Sequence, residues 1–314
     1  VINSPDQVIP KTRARVLAAI DELGFVPKFE AIHRARKGVG RIGVLTPFFT
    51  SASFVDRLRG VVAGLNNLPY DTTIYDVASA AQRDGYLTNL ALTHQVDGLI
   101  VIGLPFDDTT ERRLLKQRLP TVQIVPSGER FVHPGISSIR HDDTVGGRIA
   151  AEYLLARGHR RIGFVGNSDV PDFTGHTGDE KLDPFRQTLA LAGVALPDAY
   201  VTLAPFGIDY AQQQAFRLLS LPEPPTAIFA GSDAQAIGVI SAARERGLAI
   251  PGDLAVMGFD DIEVAEFIGL TTVRQQLKES GRRAVELLLT QIADPDQQPQ
   301  HIELPFTLML RATA

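Results

Sequence analysis

The 314 residues include no cysteine, which excludes a disulfide framework and any thiolate metal site. No stretch approaches the roughly 18 consecutive apolar residues that a membrane span requires. The first residues are polar and lack the apolar segment of a secretory signal, so a cytoplasmic protein with no membrane partner is the simplest expectation. Catalytic signatures are missing too: there is no HExxH, no GxSxG, no GxxxxGK[ST] loop and no paired His spacing. The seven histidines, His33, His94, His133, His141, His159, His176 and His301, fall on separate stretches. Asp142-Asp143 and Asp260-Asp261 are chain neighbours, whose side chains diverge, so neither pair alone forms an acid–base dyad. The expectation is a binding protein rather than an enzyme, with no cofactor and no metal.

What is present is ordinary for a globular chain of about two domains: 44% hydrophobic and 21% charged residues. The charge is uneven. Residues 1–41 carry eight Lys/Arg against four acids, net +4, while the remainder is net −9. A basic head on an acidic body suits contact with phosphate, although a solvated helix would look the same. Within that head, residues 10–23 place Val16, Leu17, Ala19, Ile20 and Leu23 on one helical stripe, ended by Gly24 and Pro27.

Downstream, short apolar runs alternate with helical patterns. Strands are expected at 42–46, 73–77, 98–102, 121–125 and 136–140, the last at an edge, with helices at 54–65, 80–93 and 110–119 between them. A second cycle follows: helix 144–157, strand 161–166, helix 182–191, strand 200–203 and helix 210–219. Strand 226–230, helix 234–246 and strand 254–259 continue it. A short strand at 271–273, a helix at 280–292 and strands at 302–304 and 307–310 close the chain. Alternation of this kind predicts an α/β fold with two doubly wound parallel-sheet lobes. Gly38–Gly43 matches GxGxxG, but it precedes a strand instead of following one and cannot cradle a dinucleotide. Gly158-His159-Arg160-Arg161 ends a helix and leads into a strand, a structural role. Ser232, Asp233 and Asp260 stand at strand C-terminal ends, the edge where open α/β sheets bind ligands. One of Ser232 and Asp233 caps the following helix, which makes Asp233 structural. Asp260 either meets a ligand or caps the turn after it.

Across nearly the whole chain, and most specifically in AIFAGSDAQAIGVISAARERGLAIPGDLAVMGFDDIEVAEFIGLTTVRQ, the sequence resembles the LacI/GalR family of transcription regulators. The resemblance implies a type-I periplasmic-binding-protein-like fold, whose two lobes are joined by three crossovers, near His141-Asp142, Phe267–Gly269 and Ala293–Pro299. It divides the chain into a DNA-binding headpiece at 1–25, a small helical remnant whose first two helices are expected to lie before Val1. A hinge follows at 26–41, then a first lobe at 42–141 plus 270–294 and a second at 142–269 plus 295–314. Tight operator binding by these residues alone is not expected, and residues before about Gly40 are expected to be loosely held or packed against a neighbour. In the hinge, FEAIHRARK, the resemblance puts Arg34 at the position of an apolar wedge for the minor groove, with Ile32 as the nearest apolar alternative and Arg36 beside it as a DNA contact.

The same resemblance implies an effector in the cleft between lobes. Phe54 and Phe206 fall where the family carries ligand-facing aromatics, with core packing as the alternative for each, and Phe48 and Phe49 share the loop before Phe54. Asp260 matches a carboxylate that accepts effector hydroxyls, and Ser232 stands where Asn is common. The family's effector-binding Arg falls at Asp179, near Lys181, so Asp179 and His176 are replacement candidates. Ile102 and Val125 replace polar residues. The expected effector is an uncharged sugar or polyol. The expected function is a homodimeric repressor in which effector binding changes affinity for operator DNA, with helix 54–65 in the dimer contact. The competing expectation is a transport-type sugar-binding protein on the same fold.

Overall fold

The computed structural model describes residues 9–23, 39–125, 133–168, 171, 173–174 and 180–314. They form two compact units. The first takes the described residues of Val1–Arg140, Asp172–Gly175 and Lys278–Ile302, and the second those of His141–Pro171, His176–Leu277 and Glu303–Ala314.

The first unit contains α1 (Pro10–Leu23), β1 (Gly40–Thr46), α2 (Ala52–Leu65), β2 (Tyr70–Asp76), α3 (Ala80–Thr93), β3 (Gly98–Ile102), α4 (Asp108–Lys116), β4 (Thr121–Val125) and β5 (Ser137–Arg140). Its sheet has the order β11-β5-β4-β3-β1-β2, where β11 is His301–Glu303. The pairs β1·β2, β1·β3, β3·β4 and β4·β5 are parallel. β3, GLIVI, is buried at every position, as a central parallel strand covered on both faces must be. Helix starts are set by side chains: Ser79 accepts the Gln82 N–H at 3.2 Å and Asp107 the Thr110 N–H at 2.8 Å.

The second unit contains α5 (Asp143–Ala156), β6 (Ile162–Asn167), α6 (Leu182–Leu191), β7 (Val201–Ala204), α7 (Ile208–Leu219), β8 (Ala227–Ala230), α8 (Asp233–Glu245), β9 (Ala255–Asp260), α9 (Glu263–Phe267) and β10 (Thr271–Arg274). The chain then runs through α10 (Leu277–Ala293), β11 and β12 (Thr307–Met309). The second sheet has the order β12-β10-β9-β8-β6-β7. Only its β10·β12 pair is antiparallel. Alternate residues of β8 feed separate cores. Ala227 and Phe229 pack with Phe164, Phe185 and Phe259 on one face, while Ile228 and Ala230 pack with Ala211, Ala215 and Val239 of α7 and α8 on the other. The Phe185 and Phe229 rings lie 5.0 Å apart, within the range of favourable aromatic pairing.

Three sequence expectations are corrected. The strand near 136–140 is not an edge, because β11 lies outside it. Residues 271–274, expected in the first lobe, pair with β9 from Thr271↔Met257 to Arg274↔Asp260 and so belong to the second sheet. The strand at 301–303, expected in the second lobe, joins the first sheet instead. The chain therefore passes between units after Leu277 and after Ile302, several residues later than expected. Long-range pairing, which local pattern does not encode, makes the difference.

Candidate functional site

The C-terminal edge of the second sheet gathers the polar groups. Asn167 pairs with Ala204 across β6 and β7. Val165 pairs with Ala230, and Phe229 with Met257, so counting onward brings Asn167, Ser232 and Asp260 to one level. Neighbouring strands are about 4.8 Å apart, which separates Asn167 from Asp260 by roughly 10 Å.

Asp233 anchors this edge from beneath. It is 0% exposed. Its Oδ1 accepts the Thr272 hydroxyl at 2.6 Å and its Oδ2 accepts the Ile262 N–H at 2.8 Å. One carboxyl thus ties the start of α8 to β10 and to the turn after β9. Burial, and next the charge of Asp260, hold its pKa well above the ordinary carboxylate value, against the pull of the Thr272 and Ile262 hydrogen bonds. Gly258 makes room for it: a Cβ there would overlap Asp233 Oδ1 and come within 2.9 Å of Leu270 Cδ2.

Asp260 and Asp261 both have positive φ, +112° and +58°, a conformation that costs free energy for residues other than glycine and is held by its surroundings. The Asp261 carboxylate lies 2.6 Å from Arg274 Nε and 2.7 Å from an Arg311 terminal nitrogen. Asp260 Oδ1 accepts the Gln275 side-chain amide at 2.7 Å. Asp260 is 9% exposed.

Phe206 follows β7 and is 49% exposed, unlike the core phenylalanines. Gly207 after it has φ +154°, a region open to glycine, and lets the chain turn into α7. Ser232 is the cap of α8: its Oγ accepts the Gln235 N–H and donates to Gln235 Oε1, each at 3.2 Å. The expected choice between Ser232 and Asp233 is thereby resolved for Ser232, and Asp233 is structural as expected. Gln235, itself buried, donates through Nε2 to Asn167 Oδ1 at 2.8 Å.

In the first unit Phe48, with φ +50°, and Phe49 are exposed after β1. Phe54 is 8% exposed and meets the Phe48 ring edge-on at 6.1 Å, so most of its surface is in the core. Ile102 is buried within β3. His176 and Asp179, and the hinge residues Ile32, Arg34 and Arg36, lie outside the described residues. Lys181 places its ammonium 4.4 Å from the Phe259 ring centroid, a cation–π contact inside the second unit.

Several candidates have structural roles. His159 Nδ1 lies 3.0 Å from Thr226 Oγ1 and Arg161 Nε donates to the Pro224 carbonyl at 3.1 Å, which pins the start of β6 to the segment before β8. Burial, then the Arg157 charge, lower the His159 pKa. Asp108, Glu111 and His133 could share a cation. However, Glu111 accepts the Gly135 N–H at 2.8 Å and lies 3.3 Å from His133 Nδ1, and Phe106 stacks on the imidazole at 4.2 Å. The arrangement fastens the 133–135 loop to α4.

Sequence reading missed Asn167, Gln235 and Gln275. Asn167 was findable, being the polar residue that ends the apolar run of β6. Gln235 and Gln275 carry no local signal, since their partners lie 68 and 15 residues away.

Known proteins match this architecture. The model of the periplasmic binding protein-like domain family matches residues 151–314. The HTH-type transcriptional repressor CytR of Escherichia coli (strain K12) is 31% identical over 303 residues, which cover 95% of this chain and 85% of that protein. The ribose operon repressor of the same strain is 31% identical over 316 residues, covering 100% and 94%. Among solved structures, the transcriptional regulator CelR in complex with cellobiose superposes with a TM-score of 0.74 at 27% identity, over 98% of this chain and 92% of that one. A LacI family transcriptional regulator from Enterococcus faecium with bound ribose gives 0.73 at 27% identity, over 87% and 98%. Sequence and overall fold agree, and this chain belongs to the LacI family of transcription regulators.

Proposed function

We propose that the protein is a cytoplasmic, homodimeric repressor whose affinity for operator DNA is set by an uncharged, hydroxylated effector, a sugar in the simplest case. The effector rests on the C-terminal edge of the second sheet. The observation that carries this reading is the exposed Phe206 ring on the same sheet edge as Asp260. An aromatic face suits the C–H face of a sugar ring. An ionised carboxylate accepts hydroxyl hydrogen bonds that are stronger than neutral ones. Gln275 holds Asp260 through one oxygen.

Absence of net charge on the effector follows from the cations nearby. Arg274 and Arg311 both bind Asp261, which commits the two guanidinium groups flanking the Asp260–Asp261 turn. The relatives support the class: one is a ribose operon repressor, and the solved neighbours hold cellobiose and ribose. In the full protein, hinge residues Ile32, Arg34 and Arg36 would contact the operator, and α2 would contribute to the dimer contact. Effector and operator act on one equilibrium, so each must alter the affinity of the other by the same factor.

Calorimetric titration with ribose, cellobiose and an anionic sugar phosphate tests the site. A neutral sugar should bind, and Asp260→Ala should weaken it by about 1.5–3 kcal/mol, the worth of hydrogen bonds to a charged group. Unchanged affinity in a folded variant removes Asp260 from the site. Preference for the phosphate refutes the uncharged class. Sedimentation that shows monomer alone at micromolar concentration counts against the dimer.

A further inference from the structure

We infer that a groove at the start of β6, β8 and β9 is a docking surface for an acidic segment of another protein, one that carries a large apolar side chain among its carboxylates.

The parallel strands of the second sheet start at the edge opposite the polar one, and the helices that return the chain end there. α5 ends before β6, α7 before β8 and α8 before β9. A groove of about 390 Å³ lies at this edge, lined by Leu219, Pro224, Pro225, Leu248, Arg246 and Asp253. Its walls are tied together. Arg161 Nε donates to the Pro224 carbonyl at 3.1 Å. Arg246 donates to the Leu219 carbonyl at 2.8 Å, and its guanidinium lies 5.5 Å from the Phe216 ring centroid.

Charge is sorted around this groove. The second unit carries eleven Lys/Arg and eighteen Asp/Glu, yet residues 157–161, 217–225 and 244–253 hold six of the former and only three of the latter. The six are Arg157, Arg160, Arg161, Arg217, Arg244 and Arg246, all exposed. Among the described residues none of them pairs with a carboxylate. The unit's other arginines, Arg148, Arg186, Arg274 and Arg311, each do. Two of the three acids are engaged locally: Glu245 accepts from Gln212, and Asp253 from the Ala249 N–H at 2.8 Å. Helix ends explain part of the pattern, because a helix C-terminus carries about −0.5 charge. Three such ends and three carboxylates offset about 4.5 of the six positive charges, and a surplus remains.

The surplus and the groove together define the occupant. Guanidinium groups at the rim match carboxylates, which they hold through paired hydrogen bonds. The floor of Leu219, Pro224, Pro225 and Leu248 offers apolar surface to one aliphatic or aromatic side chain, the kind of anchor that carries a protein interface. A nucleic-acid backbone would meet the arginines but has no apolar group to fill the groove. Because the surface lies at the edge opposite Asp260, such a partner and an effector would not compete for one site.

Fluorescence anisotropy tests the inference with a labelled, capped peptide of one phenylalanine flanked on each side by four glutamates. The wild-type chain should bind it with a Kd below about 1 mM at low salt, and more weakly as salt screens the rim. Replacing the phenylalanine by alanine should cost about tenfold, the worth of one buried apolar side chain. Arg157→Glu combined with Arg244→Glu should cost about tenfold, and Arg217→Glu alone about threefold, as reversal of rim charges does. Thermal unfolding checks the fold of each variant. No binding by wild type, equal binding by the folded variants, or equal binding of the alanine peptide or of one with lysine in place of glutamate overturns the inference. So does tighter binding of a DNA duplex of random sequence, or self-association of the chain that the variants abolish while the peptide fails to bind.

Discussion

Gly258→Ala is a one-methyl change in the core of β9, and it should be among the most damaging single substitutions in the second unit. The new Cβ overlaps Asp233 Oδ1. That oxygen cannot retreat freely, because Asp233 is wholly buried and is held at 2.6 Å by Thr272 and at 2.8 Å by Ile262. Relief requires the carboxyl to swing and at least one of these bonds to break, at about 1.5–3 kcal/mol for a bond to a charged group. Crowding against Leu270 adds about 1 kcal/mol of overpacking. The expected loss is about 3 kcal/mol, read as a shift of the urea midpoint at unchanged m-value in far-UV circular dichroism. Gly252→Ala is the control, since its Cβ would meet only Ala249 at 3.6 Å, and it should stay within about 0.5 kcal/mol of wild type. In an Asp233→Ala background the clash disappears, so Gly258→Ala should there cost about 1 kcal/mol. A Gly258→Ala protein as stable as wild type, or an equal penalty in both backgrounds, refutes the assignment of Asp233 as the tie beneath the site.

Other perturbations probe separate parts of the same edge. Asp233→Asn removes a carboxyl whose folded pKa is raised. The folded wild type therefore binds more protons than the unfolded chain, and its stability relative to the variant should grow as pH falls from above the raised value toward the ordinary carboxylate range. Denaturation midpoints of the two proteins that stay parallel across that window count against it. Arg311→Met leaves the largely covered Asp261 carboxylate with the half-exposed Arg274 as its ion-pair partner, and should cost about 2–4 kcal/mol, as breaking one arm of a covered ion pair does. A change below 0.5 kcal/mol in chemical denaturation argues otherwise. Phe206→Ala should leave the unfolding midpoint unchanged, because the ring is half in solvent, while weakening a bound sugar by about 1 kcal/mol. A lowered midpoint with intact binding would make the ring structural.

Local chemistry carried much of the fold into the sequence. Residues 80–93, 98–102 and 182–191 are read with the bounds the structure shows, because Ser79 caps the first, β3 is uniformly apolar, and Leu182, Phe185 and Leu189 repeat at helical spacing along the third. Asp260 was legible as an edge residue for the same reason, since it follows a short apolar run, whereas Phe206 was singled out by the family resemblance alone. What remained hidden is non-local. Nothing around Thr271–Arg274 tells which sheet it joins, since that is decided by pairing with β9. The bond from Gln235 to Asn167 spans 68 residues, and that from Thr272 to Asp233 spans 39. A helix-periodic reading of α8 registers Gln235 as polar and gives no hint that it is buried.

The segment from Lys278 to Ile302 belongs to the first unit and the segment from Glu303 to Ala314 to the second. During synthesis, then, neither half can finish until the last part of the chain has left the ribosome. The first half waits for α10 and β11, and the second for β12, which borders β10. Domains that fold one after another shield the early one while the later one is made. Here both stay incomplete together, and a stalled chain ending near residue 277 would release two open sheets instead of one finished half.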